Sequence, residues 1–243
     1  MIVVVRRRIE LQSAYLLHSY PWRETSLIAE VFSLDHGRVS LLAKGARRPL
    51  SAMRGALMAF QPLTLTWSGS GEIKTLHHVE WQGGQALLQG AGLLCGYYLN
   101  ELLLKLLPRE DAHPALFKGY AQSLAKLAVG LPREPLLREF EFSLLRELGY
   151  APSLGVDARS GEALVADAHY AVVPERGVLM LDTGEPAEVP PIPGHVLLSL
   201  AAGDFSQPLA LSHAKHLMRR LINHHLEGRE LASRRILMEI QEL

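Results

Sequence analysis

Six cations fall in one stretch of the chain at spacings suited to a polyanion: Arg38, Lys44, Arg47, Arg48, Arg54 and Lys74. On an extended strand, Arg38, Ser40, Leu42 and Lys44 share one face, while Val39, Leu41 and Ala43 share the other. The second set is a core face, so the first displays two cations beside Leu42. Arg47, Arg48 and Arg54 follow on a loop that Gly45 and Gly55 leave free to bend. Aromatic residues lie close by in sequence: Trp22, Phe32, Phe60 and Trp67. A cationic groove with stacking platforms holds single nucleic-acid strands without sequence preference. The competing reading is a solvated basic loop with all four rings in the core, where large aromatics usually sit.

A second constellation lies at Arg133-Glu-Pro-Leu-Leu-Arg-Glu-Phe-Glu-Phe-Ser-Leu-Leu-Arg-Glu-Leu148. Leu137, Phe140, Leu144 and Leu148 are the expected core stripe. Arg138, Phe142 and Leu145 lie on another face at helical spacing. A guanidinium beside an exposed aromatic suits an apolar peptide that carries a carboxylate. The plainer reading pairs Arg138 with Glu134 or Glu141 at the surface.

Other motifs dissolve on inspection. Gly69-Ser-Gly-Glu-Ile-Lys-Thr75 lacks the glycine that a phosphate loop needs before its lysine, and it reads as a hairpin turn. Gly90-Ala-Gly-Leu-Leu-Cys-Gly96 misses the dinucleotide spacing. His213-Ala-Lys-His216 offers two imidazoles but has no third ligand nearby. Neither a Gly-x-Ser-x-Gly elbow nor a His-Glu-x-x-His motif is present. Cys95 is the single cysteine, which excludes an intrachain disulfide and a cysteine zinc knuckle.

The elements that position these residues come in two styles. Five alternating segments fill the first third: Leu11 to Tyr20, Ser26 to Leu34, Arg38 to Lys44, Pro62 to Trp67 and Glu72 to Trp81. Asp35-His-Gly37 and Ser68-Gly-Ser-Gly71 are turn signals between them. Five short strands in about 80 residues, with a long basic loop after the third, match an OB-fold; an SH3-like barrel is the rival. Beyond Gly84 the period changes to that of helices. Helices are expected over 85–107, 114–129, 133–148, 194–202, 208–226 and 229–241. The Gly/Pro-rich segment 150–194 carries a hairpin, His169–Val173 and Val178–Leu181.

The chain has 243 residues, 48% of them hydrophobic, so it can bury a core. No apolar run approaches the ~20 residues of a membrane span, and Met1-Ile-Val-Val-Val-Arg-Arg-Arg8 has its charges in the wrong order for a signal peptide. A cytoplasmic protein is expected. Lys+Arg and Asp+Glu balance at 25 each, but unevenly. Residues 1–84 hold ten cations and six anions, a net of +4, which leaves fifteen against nineteen, a net of −4, in the rest. A basic part and an acidic part imply different partners.

Several segments, in order, resemble the RecO family of bacterial recombination-repair proteins. They are His18-Ser-Tyr-Pro-Trp-Arg-Glu-Thr-Ser26 with Gly37-Arg-Val and Ala43-Lys-Gly-Ala-Arg47; Tyr98-Leu-Asn-Glu-Leu102; Leu137-Arg-Glu-Phe-Glu141 with Leu148-Gly-Tyr150; and Gly228-Arg-Glu-Leu-Ala-Ser-Arg234. The resemblance is weak between 157 and 210. It implies an N-terminal OB-fold and a helical domain. It also implies binding of single- and double-stranded DNA and annealing of complementary strands. With RecR, and in many bacteria RecF, such proteins load RecA onto strands coated by single-strand-binding protein, whose acidic C-terminal tail they contact. No nucleotide is needed. Many members carry a four-cysteine zinc site just after Leu-Gly-Tyr. Here Ser153-Leu-Gly-Val-Asp-Ala-Arg-Ser-Gly-Glu162 has no cysteine, so 150–194 looks like a metal-free remnant.

The resulting expectation is an α+β chain with a five-stranded OB-fold barrel over 1–84 and a helical domain over 85–243. It is a non-enzymatic, nucleoid-associated recombination mediator without a cofactor. Arg38, Lys44, Arg47, Arg48, Arg54 and Lys74 are its expected DNA contacts, and Arg138, Phe142 and Leu145 its tail-binding residues. Two alternatives stand beside it. One is an RNA-binding barrel. The other is a metal-dependent enzyme using Asp157, Glu162, Asp167 and His169.

Overall fold

A computed structural model describes residues 8–181 and 189–241. The chain divides into two compact units, one running to Leu131 and resuming at Leu231, the other Pro132–Glu230. The expected boundary near residue 84 falls between a strand and a helix that both belong to the first unit.

In the first unit, β1 (Arg8–Trp22), β2 (Ser26–Ser33), β3 (Gly37–Ala43), β4 (Pro62–Ser68) and β5 (Ile73–Trp81) close a barrel in the order β1-β2-β3-β5-β4. Its one parallel pairing, β3 with β5, gives the barrel OB-fold topology, which removes exposed sheet edges. Alternation decides what faces inward. Ala29, Val31, Val39, Leu41, Ala43, Leu63, Leu65 and Trp67 fill the core. A short helix, α1 (Ala52–Ala56), joins β3 to β4. The turn signal before β3 has a steric reason: Gly37 has φ +61°, and a Cβ there would lie 1.9 Å from the Asp111 carbonyl oxygen.

Three helices complete this unit: α2 (Gly90–Leu106), α3 (Pro114–Ala128) and α7 (Ala232–Gln241). Two residues that point away from the barrel core, one on β1 and one on β2, meet α3. Tyr15 and Phe32 pack edge-on or tilted against Phe117 and Tyr120, with ring centroids 5.2–6.1 Å apart. The Glu101 carboxylate on α2 accepts the backbone N–H groups of Ala232 and Ser233, each at 2.9 Å, and the Ser233 hydroxyl at 2.6 Å. A side chain of α2 therefore satisfies the exposed donors at the start of α7.

The second unit contains α4 (Arg133–Glu147), α5 (Gly194–Ala201), α6 (Pro208–His225) and a small sheet ordered β7-β6-β8. Its strands are β6 (His169–Val173), β7 (Gly177–Met180) and β8 (Ile192–Pro193). The glycine after Leu148 ends α4 as its position suggests. Tyr150 N–H bonds the Leu145 carbonyl at 2.7 Å and Gly149 N–H the Arg146 carbonyl at 3.1 Å, the paired pattern of a Schellman end.

Asp157 organises the cysteine-less loop before β6. Its Oδ1 accepts the N–H groups of Arg159 (2.8 Å) and Ser160 (2.9 Å), and its Oδ2 accepts that of Met180 (2.6 Å). These bonds, Ser160's backbone foremost, hold its carboxyl below the ordinary aspartate range. Val172 and Val178 are fully buried behind the loop. Among the described residues, no three His, Cys, Asp or Glu side chains are grouped to hold a metal, and no helix is long and apolar enough to cross a membrane.

Candidate nucleic-acid interface

The cationic residues separate into two groups around the barrel. Lys44 and Arg48 line a cleft of about 560 Å³, joined by Arg23 from the β1–β2 hairpin. Its floor is the cross-strand pair Ile28 and Leu42, with Trp22 and Ile73 as walls. Neither Lys44 nor Arg48 has a carboxylate partner among the described residues. Gly45 turns the chain at φ +69°, and the Arg48 side chain lies along it.

Arg47 is next in sequence but does different work. Its guanidinium donates to the carbonyls of Arg23 (3.3 Å) and Glu24 (3.1 Å), and its backbone N–H to that of Thr25 (2.8 Å). It fastens the basic loop to the β1–β2 hairpin and so sets the width of the cleft. Its side chain remains solvent-exposed, as does Arg54 on α1.

Arg38 and Lys74 are held elsewhere. The Arg38 guanidinium donates to the Leu104 carbonyl at 2.5 Å, near the C-terminus of α2, where the helix dipole favours a cation. Burial, then the neighbouring Arg109 charge, lowers its pKa, and Glu30 partly offsets this. Lys74 pairs with Glu110 at 2.5 Å. The expectation that Arg38 lines an open groove is therefore corrected. Its strand face is right, but a helix covers that end of the strand.

Arg109, which the sequence did not single out, completes that covering. It donates to the Ser40 hydroxyl and, at 3.1 Å, to Glu30, whose carboxylate also accepts the Ser40 hydroxyl at 2.6 Å. Nothing local in the sequence announces a contact spanning 79 residues. Arg23 was missed for a similar reason: only the hairpin's fold brings it to Arg48. Of the four candidate platforms, Phe32, Phe60 and Trp67 are buried; Trp22 alone, 41% exposed, is available to a ligand.

In the second unit, Arg138 borders a separate cleft of about 280 Å³ with Glu134, Pro208, Leu211, Ser212 and Lys215. Arg138 donates to Glu141 at 2.5 Å. This is not the surface pair expected, because Glu141 is 1% exposed. Phe142 and Leu145, expected as an accessible apolar face, are 8% and 0% exposed. Phe142 packs toward Phe205, with ring centroids 6.2 Å apart. The apolar wall beside Arg138 comes instead from Pro208 and Leu211 of α6. Of the expected core stripe, Phe140 and Leu144 are buried but Leu137 and Leu148 only partly so; Leu136, Phe142 and Leu145 are buried in their place.

Known proteins match nearly the whole chain. The family described as Recombination protein O N terminal matches residues 8–84, and Recombination protein O C terminal matches residues 88–235. The chain is 57% identical over 243 residues to a protein of Azoarcus sp. strain BH72 named DNA repair protein RecO, covering 99% of this chain and 100% of that one. It is 54% identical over 238 residues to the protein of that name from Aromatoleum aromaticum, covering 98% and 99%. For Dechloromonas aromatica the identity is 53% over 242 residues, with 98% and 99% covered.

Proposed function

The chain belongs to the RecO family of DNA repair proteins, and from that premise we propose that it is a non-enzymatic recombination mediator whose barrel cleft holds DNA. The observation that carries this reading is the cleft between hairpin and basic loop, where Arg23, Lys44 and Arg48 surround an exposed tryptophan. Cations without acidic partners are available to phosphates, and an open ring is available to bases. The cleft binds single strands and, through phosphates alone, duplexes. Neutralising two backbones at once lets complementary bases meet, which is the physical basis of annealing.

The protein acts in the cytoplasm at the nucleoid, with RecR and possibly RecF, to load RecA onto strands coated by single-strand-binding protein. Arg138 receives the acidic tail of that protein. The tail's terminal ring enters the cleft against Pro208 and Leu211, and its carboxylate meets the guanidinium, with Lys215, paired with Glu134 at 3.6 Å, at the rim. The fork geometry of Arg suits a carboxylate better than a lysine does. Arg138→Ala should weaken a tail peptide roughly ten- to a hundredfold by calorimetry. Amidating the peptide's C-terminus should mimic the substitution.

Fluorescence anisotropy of random-sequence single strands across a salt series tests the central claim. Four neutralised phosphates give a log–log slope of about −3. Reversing Arg47 and Arg48 to Glu should weaken all sequences about equally. An affinity indifferent to salt and to that reversal would overturn the reading.

A further inference from the structure

The barrel cleft contains more than a phosphate site requires. Phosphates need cations at a surface, but here the cations rim an apolar hollow. Along β2, Leu27, Ala29 and Val31 face the barrel core, so Ile28, Glu30 and Phe32 face outward. Phe32 is covered by rings of α3, and Glu30 by Arg109. Ile28 touches neither of these and is itself 1% exposed, shielded by its own neighbours. It is the floor of the hollow, beside Leu42, to which it is paired across the sheet.

The wall is aromatic and continues along one strand. His18, Tyr20 and Trp22 are alternate residues of β1 on its outward face, opposite Glu30, Ile28 and Ser26. All three are exposed, Tyr20 at 38% and Trp22 at 41%, and the His18 and Tyr20 rings lie 6.1 Å apart at 31°. Alternate strand residues stand about 6.8 Å apart, twice the roughly 3.4 Å rise of a stacked duplex strand. That spacing matches a strand whose bases have been pulled out of their stack.

We propose that this hollow seats an unpaired nucleobase stacked on Trp22, with Tyr20 as the next platform and Lys44 and Arg48 holding the flanking phosphates. The cleft thereby tells single strands from duplex, in which every base is already stacked and its face unavailable. The proposal rests on the reading of this cleft as the nucleic-acid interface. It adds a selectivity that charge alone cannot supply, since phosphates are common to both forms. An acidic peptide is the other occupant that a cationic rim over an apolar floor would suit, and the test includes it.

Anisotropy with oligothymidylate and with a blunt duplex of equal length, at one salt concentration, decides the matter for Trp22→Ala, Trp22→Phe and Arg48→Glu. Trp22→Ala should weaken the single strand roughly 5- to 150-fold and leave the duplex within about twofold; Trp22→Phe should recover most of the loss. A strand of abasic sites, which offers no base to Trp22 or Tyr20, should bind the unaltered protein more weakly than oligothymidylate by at least the loss expected for Trp22→Ala, a comparison that needs no variant to fold. Equal losses on both DNA forms, full-strength abasic binding, or displacement of oligothymidylate by a short acidic peptide of equal charge would overturn the proposal. If Arg48→Glu weakens both forms while Trp22→Ala changes neither, the stacking idea fails and the phosphate interface stands. If Arg48→Glu also changes nothing, the interface itself is elsewhere.

Discussion

The Tyr120 hydroxyl donates to Asn100 Oδ1 at 2.6 Å, and the Asn100 amide donates to the Leu17 carbonyl at 2.8 Å. Two side chains thus connect α3, α2 and β1 through a buried relay. Asn100 is the hub because an amide both gives and accepts. Burial raises the Tyr120 hydroxyl's pKa well above its usual value, so it remains a donor across the working range. Tyr120→Phe should cost about 1–3 kcal/mol, since Asn100 Oδ1 loses that donor inside the protein. Asn100→Leu should cost more, because it removes a partner from both the hydroxyl and the carbonyl. Urea unfolding of each variant would measure both.

Arg47 and Arg48, adjacent in sequence, should behave differently. Arg47→Ala removes two guanidinium bonds to hairpin carbonyls and should lower stability by roughly 0.5–1.5 kcal/mol. Arg48→Ala should leave stability unchanged but flatten the salt slope on single strands by about 0.7, the value for one phosphate. Thermal melts beside a binding series would separate the anchor from the contact.

The Glu101 clamp on α7 should loosen in acid. Burial alone would raise its carboxyl's pKa, but bonds from Ser233, Ala232 and Lys105 outweigh it and hold the group below its ordinary range. A group whose pKa is depressed by folding stabilises the fold above its unfolded value and loses that contribution as pH falls through the folded one. The clamp is therefore intact at neutral pH and fails on the acid side. Glu101→Gln at pH 7 should reproduce the acid effect, seen as faster hydrogen exchange at Ala232 and Ser233.

The loop before β6 should depend on Asp157 and not on metal. Asp157→Ala should destabilise the second unit by on the order of 1–3 kcal/mol, because backbone donors lose their acceptor. Asp157→Asn should lose part of this, since its amide would face one of the same N–H groups. A strong chelator should leave the melting curve in place, and elemental analysis of purified protein should find no stoichiometric zinc. A chelator-sensitive melt would contradict this.

Those outcomes bear on how far sequence could go. Strand alternation placed all five barrel strands to within a few residues, because a half-buried sheet imposes a period of two. Leu148-Gly-Tyr ended α4 where a left-handed residue was required. The local signals failed where cover came from far away. Arg38 had the right face, but α2 reaches over it; Phe142 and Leu145 looked exposed beside the main stripe, but a second packing partner hides them. Trp22 could not be told from Phe32, Phe60 and Trp67 by type. Exposure depends on which end of β1 the helices leave bare, a property of the assembled unit.

The return of the chain at Leu231 has a consequence for biosynthesis. The whole of Pro132–Glu230 is inserted between α3 and α7 of the first unit. As the ribosome works from the N-terminus, the barrel and its first two long helices emerge early, yet Glu101, already paired with Lys105, gains its α7 donors only when Ala232 and Ser233 follow the second unit. The first unit to begin is thus among the last to be finished. A message cut short after the second unit would yield a first unit without α7, and with the α7 donors to Glu101 missing.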